Sequence, residues 1–197
     1  YEASSQLEWF QWAIELDSSL EKDFEDKESG GFFLTPSQHE KLLAREKPSF
    51  DSALPSGNSV MLLNLLRLYE FTSNEKYQKR AKKLLSLFSH PLQVNPTSLS
   101  DMLLGVDFYL DHPPQIVLVS PDKESPSAFL NVLRQHFLPN RIFVKLKDNE
   151  VDKTSSWLPL VTEKHSLQNK PTAYVCFDGT CQFPTNRPSE FKTQLFK

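Results

Sequence analysis

The sequence predicts a mainly α chain with an α/β tail, and three observations carry that prediction. Apolar residues recur at helical spacing through most of residues 5–110. His112-Pro113-Pro114 then interrupts the pattern. Beyond it, short continuous apolar runs of strand length take over, with turn residues between them. A helical domain is therefore expected at residues 1–112 and a small α/β unit at residues 113–197. The chain has 197 residues and is 39% hydrophobic, with 15 Phe and 3 Trp, which is enough bulky material for a real core.

Composition narrows the function classes. A net charge of −3 and a pI near 6.0 give no global basic field, so nucleic acid is not an expected partner. No run approaches the roughly 20 apolar residues of a membrane-spanning helix. The chain opens at Tyr1 rather than Met, without a signal-peptide pattern and already inside a helical one, so processing or trimming ahead of it is the expectation. Two Cys are too few for a secreted disulfide scaffold. A reducing, cytoplasmic setting is the expectation.

Residues 5–24 place Leu7, Phe10 and Ile14 on one line and Trp9, Trp12, Leu16 and Leu20 on the next. That apolar arc is too wide for a helix resting on a single neighbour. Gly30-Gly31-Phe32-Phe33-Leu34 reads as a turn entering a short extended segment, stopped by Thr35-Pro36-Ser37. Val60 to Tyr69 is apolar on almost every side, so this helix is expected to be enveloped by protein. Ser73 and Asn74 offer an N-cap for a helix over residues 75–89. That helix turns Tyr77, Ala81, Leu84, Leu85 and Phe88 inward, and Lys79, Arg80, Lys82 and Lys83 outward. An enveloped helix followed by a one-sided one is the pattern of inner and outer helices in stacked hairpins. A further helix over residues 98–110 is expected to bury Leu99, Met102, Leu103, Val106 and either Tyr109 or Leu110.

In the tail, strand 116–119, helix 127–137 and strand 141–146 suggest a right-handed parallel crossover. Residues 147–170 are polar and poorly patterned. Ala173 to Cys176 reads as a strand, Asp178-Gly179 as a turn and Cys181-Gln182-Phe183 as the return strand, with a closing helix over residues 190–196.

The loop 51–59 is the richest polar constellation. Gly57 permits positive φ or close approach of a ligand. Ser56, Asn58 and Ser59 crowd a helix start whose free N–H groups attract anionic or hydroxyl-rich ligands. Asp51 is the candidate acid or base, and Arg45 or Lys47 can hold a carboxylate. The structural alternative stays open: Ser56 or Asn58 caps the helix, Gly57 makes the turn, and Asp51 is an ordinary loop acid. Gly30-Gly31-Phe32-Phe33 can rim a sugar pocket, although a tight turn with its Phe side chains in the core is favoured.

Cys176 and Cys181 flank the predicted turn closely enough for a disulfide if the hairpin is right. The spacing is not C-x-x-C, and no cation in Phe177-Asp178-Gly179-Thr180 would lower a thiol pKa. Two buried reduced thiols are the favoured reading, a redox pair the weaker one. His39, His90, His112, His136 and His165 are scattered, so no zinc site is expected, and no motif asks for a cofactor.

Taken in order, these strings form a pattern: Tyr1-Glu2-Ala3, Trp9, Trp12-Ala13, Gly30 to Thr35, Arg45-Glu46-Lys47-Pro48, Asp51 to Val60, Leu65-Leu66-Arg67-Leu68, Phe137-Leu138-Pro139-Asn140, Thr172 to Cys176, Cys181 and Pro184. The ordered set resembles the C-terminal part of the thioredoxin-domain-containing family that includes bacterial YyaL and the spermatogenesis-associated protein of animals. The resemblance implies a longer protein with an N-terminal thioredoxin-like domain. It also implies an (α/α) toroid similar to those of N-acylglucosamine epimerases and six-hairpin glycosidases. The helices here would form a partial toroid of helical hairpins, followed by a small βαβ plus hairpin unit. The loop 51–59 would then line a cavity for a carbohydrate-like or polar small molecule. The expected partners are the absent thioredoxin-like domain and the remaining toroid helices. The alternative is a non-catalytic interaction or scaffolding module that positions the redox domain. No turnover is expected from these 197 residues alone, since an incomplete ring cannot preorganise a closed site.

Overall fold

In the computed structural model, which describes residues 1–38, 40 and 44–196, the helical-period segments become α1 (Leu7–Asp23), α2 (Gly57–Thr72), α3 (Glu75–Val94) and α4 (Ser100–Leu110). About 49% of the chain is helical, and a small four-stranded mixed sheet occupies the tail. The chain divides into a helical unit (Glu8–Tyr69 and Ser73–Leu110) and a sheet unit (Tyr1–Leu7, Glu70–Thr72 and Asp111–Lys197). His39 lies outside the described residues.

Local chemistry sets the helix ends. The Ser56 hydroxyl caps α2 by accepting from the Ser59 amide at 3.1 Å. Ser73 takes a left-handed conformation (φ 54°) that closes α2, so Asn74 alone caps α3, accepting from the Lys76 amide at 3.0 Å. α3 runs past the expected end at residue 89. Pro91 falls in its last turn, where it removes one intrahelical bond while its carbonyl still accepts from Asn95 at 2.9 Å. A 3-10 turn (Pro96–Leu99) leads into α4.

Several faces differ from the apolar pattern. On α1, Phe10 and Asp17 are buried, while Trp9, Trp12 and Leu16 stand 46%, 59% and 58% exposed. Arg80 is not outward: it is buried on α3, where it donates to Asp17 at 2.7 Å and to both carboxylate oxygens of Glu25 at 3.0 Å. Helical spacing puts Arg80 on the line of Tyr77, Ala81 and Leu84, and two facing carboxylates make its burial tolerable. α4 is rotated from the expected face. Met102, Gly105 and Phe108 are buried, and Leu103 and Leu110 are exposed. A Cβ on Gly105 would lie 2.7 Å from Leu62 Cδ2, so this glycine lets α2 and α4 approach closely. On α2, Met61, Leu62, Leu65, Leu66 and Leu68 are buried, but Val60 is 41% exposed and Asn64 is also exposed. The helix is thus covered on most sides and open along one strip.

In the sheet unit, β1 (Gln115–Ser120), α5 (Ser127–Arg134) and β2 (Ile142–Lys147) form the parallel pair the sequence predicts, with Gln115 opposite Ile142. β3 (Thr172–Phe177) runs antiparallel to β1 on its other side, and β4 (Thr180–Cys181) completes the order β2-β1-β3-β4. All six residues of β1 are buried, as a central strand requires. α5 and α7 (Pro188–Leu195) close a core of Ile116, Leu118, Phe129, Leu133, Ala173, Val175, Phe191 and Leu195. The unpatterned stretch 147–170 holds α6 (Val151–Ser155) and two 3-10 turns, which bury Val151, Thr154, Leu158, Leu160 and Val161. At the outer edge, the Phe143 amide donates to Glu2 Oε1 at 2.7 Å.

Candidate functional site

The loop 51–59 is built around Asp51. One carboxylate oxygen accepts from the Ser56 amide and the other from the Asp101 amide, both at 2.8 Å. The Asp51 amide in turn donates to the Ser98 carbonyl at 2.8 Å. Asp51 therefore ties the start of α2 to the N-terminus of α4, whose first amides have no intrahelical acceptor. Burial alone would push its carboxyl up, but the Ser56 amide, the Ser59 hydroxyl and the amides of Asp101 and Met102 hold it below the usual carboxylate range.

The neighbouring polar groups are also engaged inside the helical unit. Asn58 is fully buried; its Oδ1 accepts from the Phe32 amide at 2.7 Å, and its Nδ2 donates to the Phe32 carbonyl at 2.9 Å and the Pro48 carbonyl at 2.8 Å. Ser59 is likewise buried, its hydroxyl 2.8 Å from that of Ser56. Gly57 does not adopt positive φ. It is the first residue of α2, and nothing lies within 4 Å of where its Cβ would be.

Arg45 and Lys47 brace the Gly30-Gly31 turn. Arg45 donates to the carbonyls of Thr35 and Asp23 and lies 4.0 Å from the centroid of the Phe33 ring. Lys47 pairs with Asp26 at 2.6 Å and donates to the Gly30 carbonyl at 2.8 Å. That lysine, helped by the Ser29 amide, holds the Asp26 carboxyl down at about 2. Gly30 and Gly31 both have positive φ (78° and 74°), and a Cβ on Gly31 would meet Leu87 at 2.7 Å. Phe32 is buried beneath this turn.

The hairpin cysteines are joined. Cys176 and Cys181 face each other in the β3–β4 register and form a disulfide, which corrects the favoured expectation of two reduced thiols. Asp178 (φ 48°) and Gly179 (φ 76°) supply the two positive-φ positions that a two-residue hairpin turn requires. Cys176 is fully buried, whereas Cys181 is exposed. Beside Cys181 a groove of about 570 Å³ is lined by Gln182, Phe183, Pro184, Glu190, Thr193 and Gln194. The groove residues carry no motif that would draw notice in the sequence; the signal that finds them is their adjacency to the Asp-Gly turn. His112, assigned no role from sequence, lies 2.9 Å from Asp178, and that hydrogen bond pushes its imidazole pKa up.

Among the described residues, no group of three or more His, Cys, Asp or Glu side chains is placed to hold a metal ion, and no helix is long and apolar enough to cross a membrane.

No protein-family model matches the chain. Spermatogenesis-associated protein 20 of Homo sapiens is 29% identical to it over 99% of its length, and the Mus musculus protein of the same name is 28% identical over 99%. An uncharacterized protein of Caenorhabditis elegans is 27% identical over 96% of the chain. The chain spans 25% of the length of each of these relatives.

Proposed function

As a homologue of the C-terminal part of spermatogenesis-associated protein 20, of a thioredoxin-domain-containing family, this chain is, we propose, a non-catalytic packing module of a longer polypeptide. In this reading its helical unit seats against neighbouring helices and positions a thioredoxin-like domain. One contrast carries it: the polar side chains of loop 51–59 are satisfied within the chain, while Trp12 and Leu16 on α1 stay more than half exposed. Covering a large apolar side chain is worth about 1.5–3 kcal/mol when it is wholly exposed beforehand, and about half that for side chains already half covered. The open strip of α2 at Val60 and Asn64 would gain cover from the same neighbours.

A carbohydrate-like ligand in a toroid cavity is the competing reading, with Asp51 as acid or base. It asks Asp51 to serve a ligand while its two oxygens already accept from the Ser56 and Asp101 amides. A carboxyl held below the usual range also has no proton to deliver near neutral pH and is a weak base.

Trp12→Glu tests the proposal when placed both in this chain and in a polypeptide extended to the length of the relatives. The expected result is a Tm unchanged within about 1 °C and higher solubility in the short chain, with a Tm lower by roughly 2–4 °C in the long one. Equal responses in the two contexts overturn it. Asp51→Asn is the second arm. Loss of sugar binding by the long polypeptide, at unchanged Tm, would favour the enzyme reading instead.

A further inference from the structure

We propose that the Cys176–Cys181 disulfide is a thiol-exchange site, opened at Cys181 by a protein dithiol of the thioredoxin type. The proposal goes beyond the packing role and stands independently of it.

The hairpin presents its two sulfurs unequally. Cys176 sits in β3, fully buried, and Cys181 lies exposed in the two-residue edge strand β4. An incoming thiolate can therefore reach one sulfur from solvent and not the other. The groove beside Cys181 offers a place for the protein that carries that thiolate. Phe183, 91% exposed at its side, is an apolar anchor with no packing role in this chain. The groove does not depend on the disulfide. The Gln194 side chain donates to the Phe183 carbonyl at 2.7 Å, the Gln182 amide donates to Val175 at 2.9 Å, and Ala173 and Thr185 exchange two backbone bonds. Opening the bridge would leave its surroundings in place.

The chemistry assigns direction. Neither sulfur lies at a helix N-terminus, and the turn between them holds Asp178 and no cation, so no turn residue stabilises a thiolate; the neighbouring His112 is engaged by the Asp178 carboxylate at 2.9 Å. Such a pair is a poor attacking dithiol, so the hairpin is the attacked member of an exchange, reached at its exposed sulfur, rather than a catalyst. The partner thiolate attacks Cys181 Sγ, the S–S bond breaks, and its electron pair leaves on Cys176 Sγ, which takes up a proton. A mixed disulfide now joins the partner to Cys181. The partner's second thiol, losing its proton, attacks the partner's own sulfur and releases Cys181, which is protonated. Two electrons have moved: both hairpin cysteines end as thiols and the partner's dithiol ends as a disulfide. A monothiol should fail at the second step, because Cys176 remains directly opposite Cys181 and recloses the bridge at high effective concentration. A dithiol resolves the mixed disulfide intramolecularly and escapes that competition.

The experiment uses the oxidised chain and a thioredoxin whose resolving cysteine is replaced by serine, with the adduct located by peptide mass mapping. The trapped bond is expected on Cys181. Intact thioredoxin should reduce the bridge at least about tenfold faster than an equal concentration of glutathione. Phe183→Ala should slow reduction by thioredoxin about three- to tenfold and leave reduction by dithiothreitol unchanged. The proposal is overturned by two free thiols in the air-oxidised chain, by no adduct, or by an adduct on Cys176. Equal rates with thioredoxin and glutathione, or a Phe183→Ala effect that is absent or equal for both dithiols, would overturn it too.

Discussion

In the sheet unit, eight apolar side chains on α5, α7 and one side of the sheet form the core, with the Phe129 and Phe191 rings edge to face at 5.4 Å. In the helical unit, a charged side chain is part of the interior. Arg80 is 8% exposed, Asp17 5% exposed, and the two are bonded directly, while the tryptophans of the same α1 helix stand about half exposed. The difference teaches that the apolar stripe of a helix need not be its buried side. A guanidinium held by two carboxylates can take the inner position. Such a network tolerates loss of a partner badly, even though its net contribution to stability is small.

Arg80→Ala should show the largest effect. Leaving Asp17 buried without its cation, and Glu25 with Lys27 alone, is expected to cost about 3–5 kcal/mol in urea unfolding. Phe191→Ala should cost a similar amount in the sheet unit through cavity formation. The two losses differ in rescue. Replacing Asp17 and Glu25 by Leu, with Arg80→Met, should recover most of the first and cannot recover the second. A smaller effect is expected from Gly105→Ala, about 1–3 kcal/mol, because the added methyl meets Leu62 at 2.7 Å. Gly57→Ala, facing open space, should stay within about 0.5 kcal/mol.

The smallest expected effect is pH dependence, and its sign separates the units. Burial raises the Glu21 carboxyl, but Lys27 and Lys76 outweigh it and bring it down to about 2, where Lys47 also holds Asp26. Both lie below their ordinary values of 4.5 and 3.8. Their stabilisation is thus complete above those values and disappears as pH falls through about 2. Glu70, in the sheet unit, is pushed the other way by burial, so its native state gains from acidification. Hydrogen exchange between pH 5 and pH 3 should show amides of α1 and α3 losing protection before those of β1 and β3.

Much of the architecture was legible in the sequence. The four helices, the parallel β1–β2 crossover and the Asp178-Gly179 hairpin follow from periodicity and turn chemistry, which are local properties. The partners of the polar loop are not local. Asp51 finds Asp101 at a separation of 50 residues, and Asn58 finds Phe32 at 26, so nothing in the string 51–59 distinguishes a ligand site from a structural knot. Stretch 147–170 escaped because its helical turns are too short for a 3.6-residue period to register. For the cysteines, spacing fixed their proximity but not their oxidation state.

Glu2 carries a consequence of its own. Strand β2 lies at one margin of the sheet, where an unpaired main-chain donor would invite a foreign strand to dock. By occupying the Phe143 amide, the Glu2 carboxylate stoppers that margin with negative charge. The second residue of the chain thereby takes one outward donor of a strand 141 positions away out of reach of a foreign backbone.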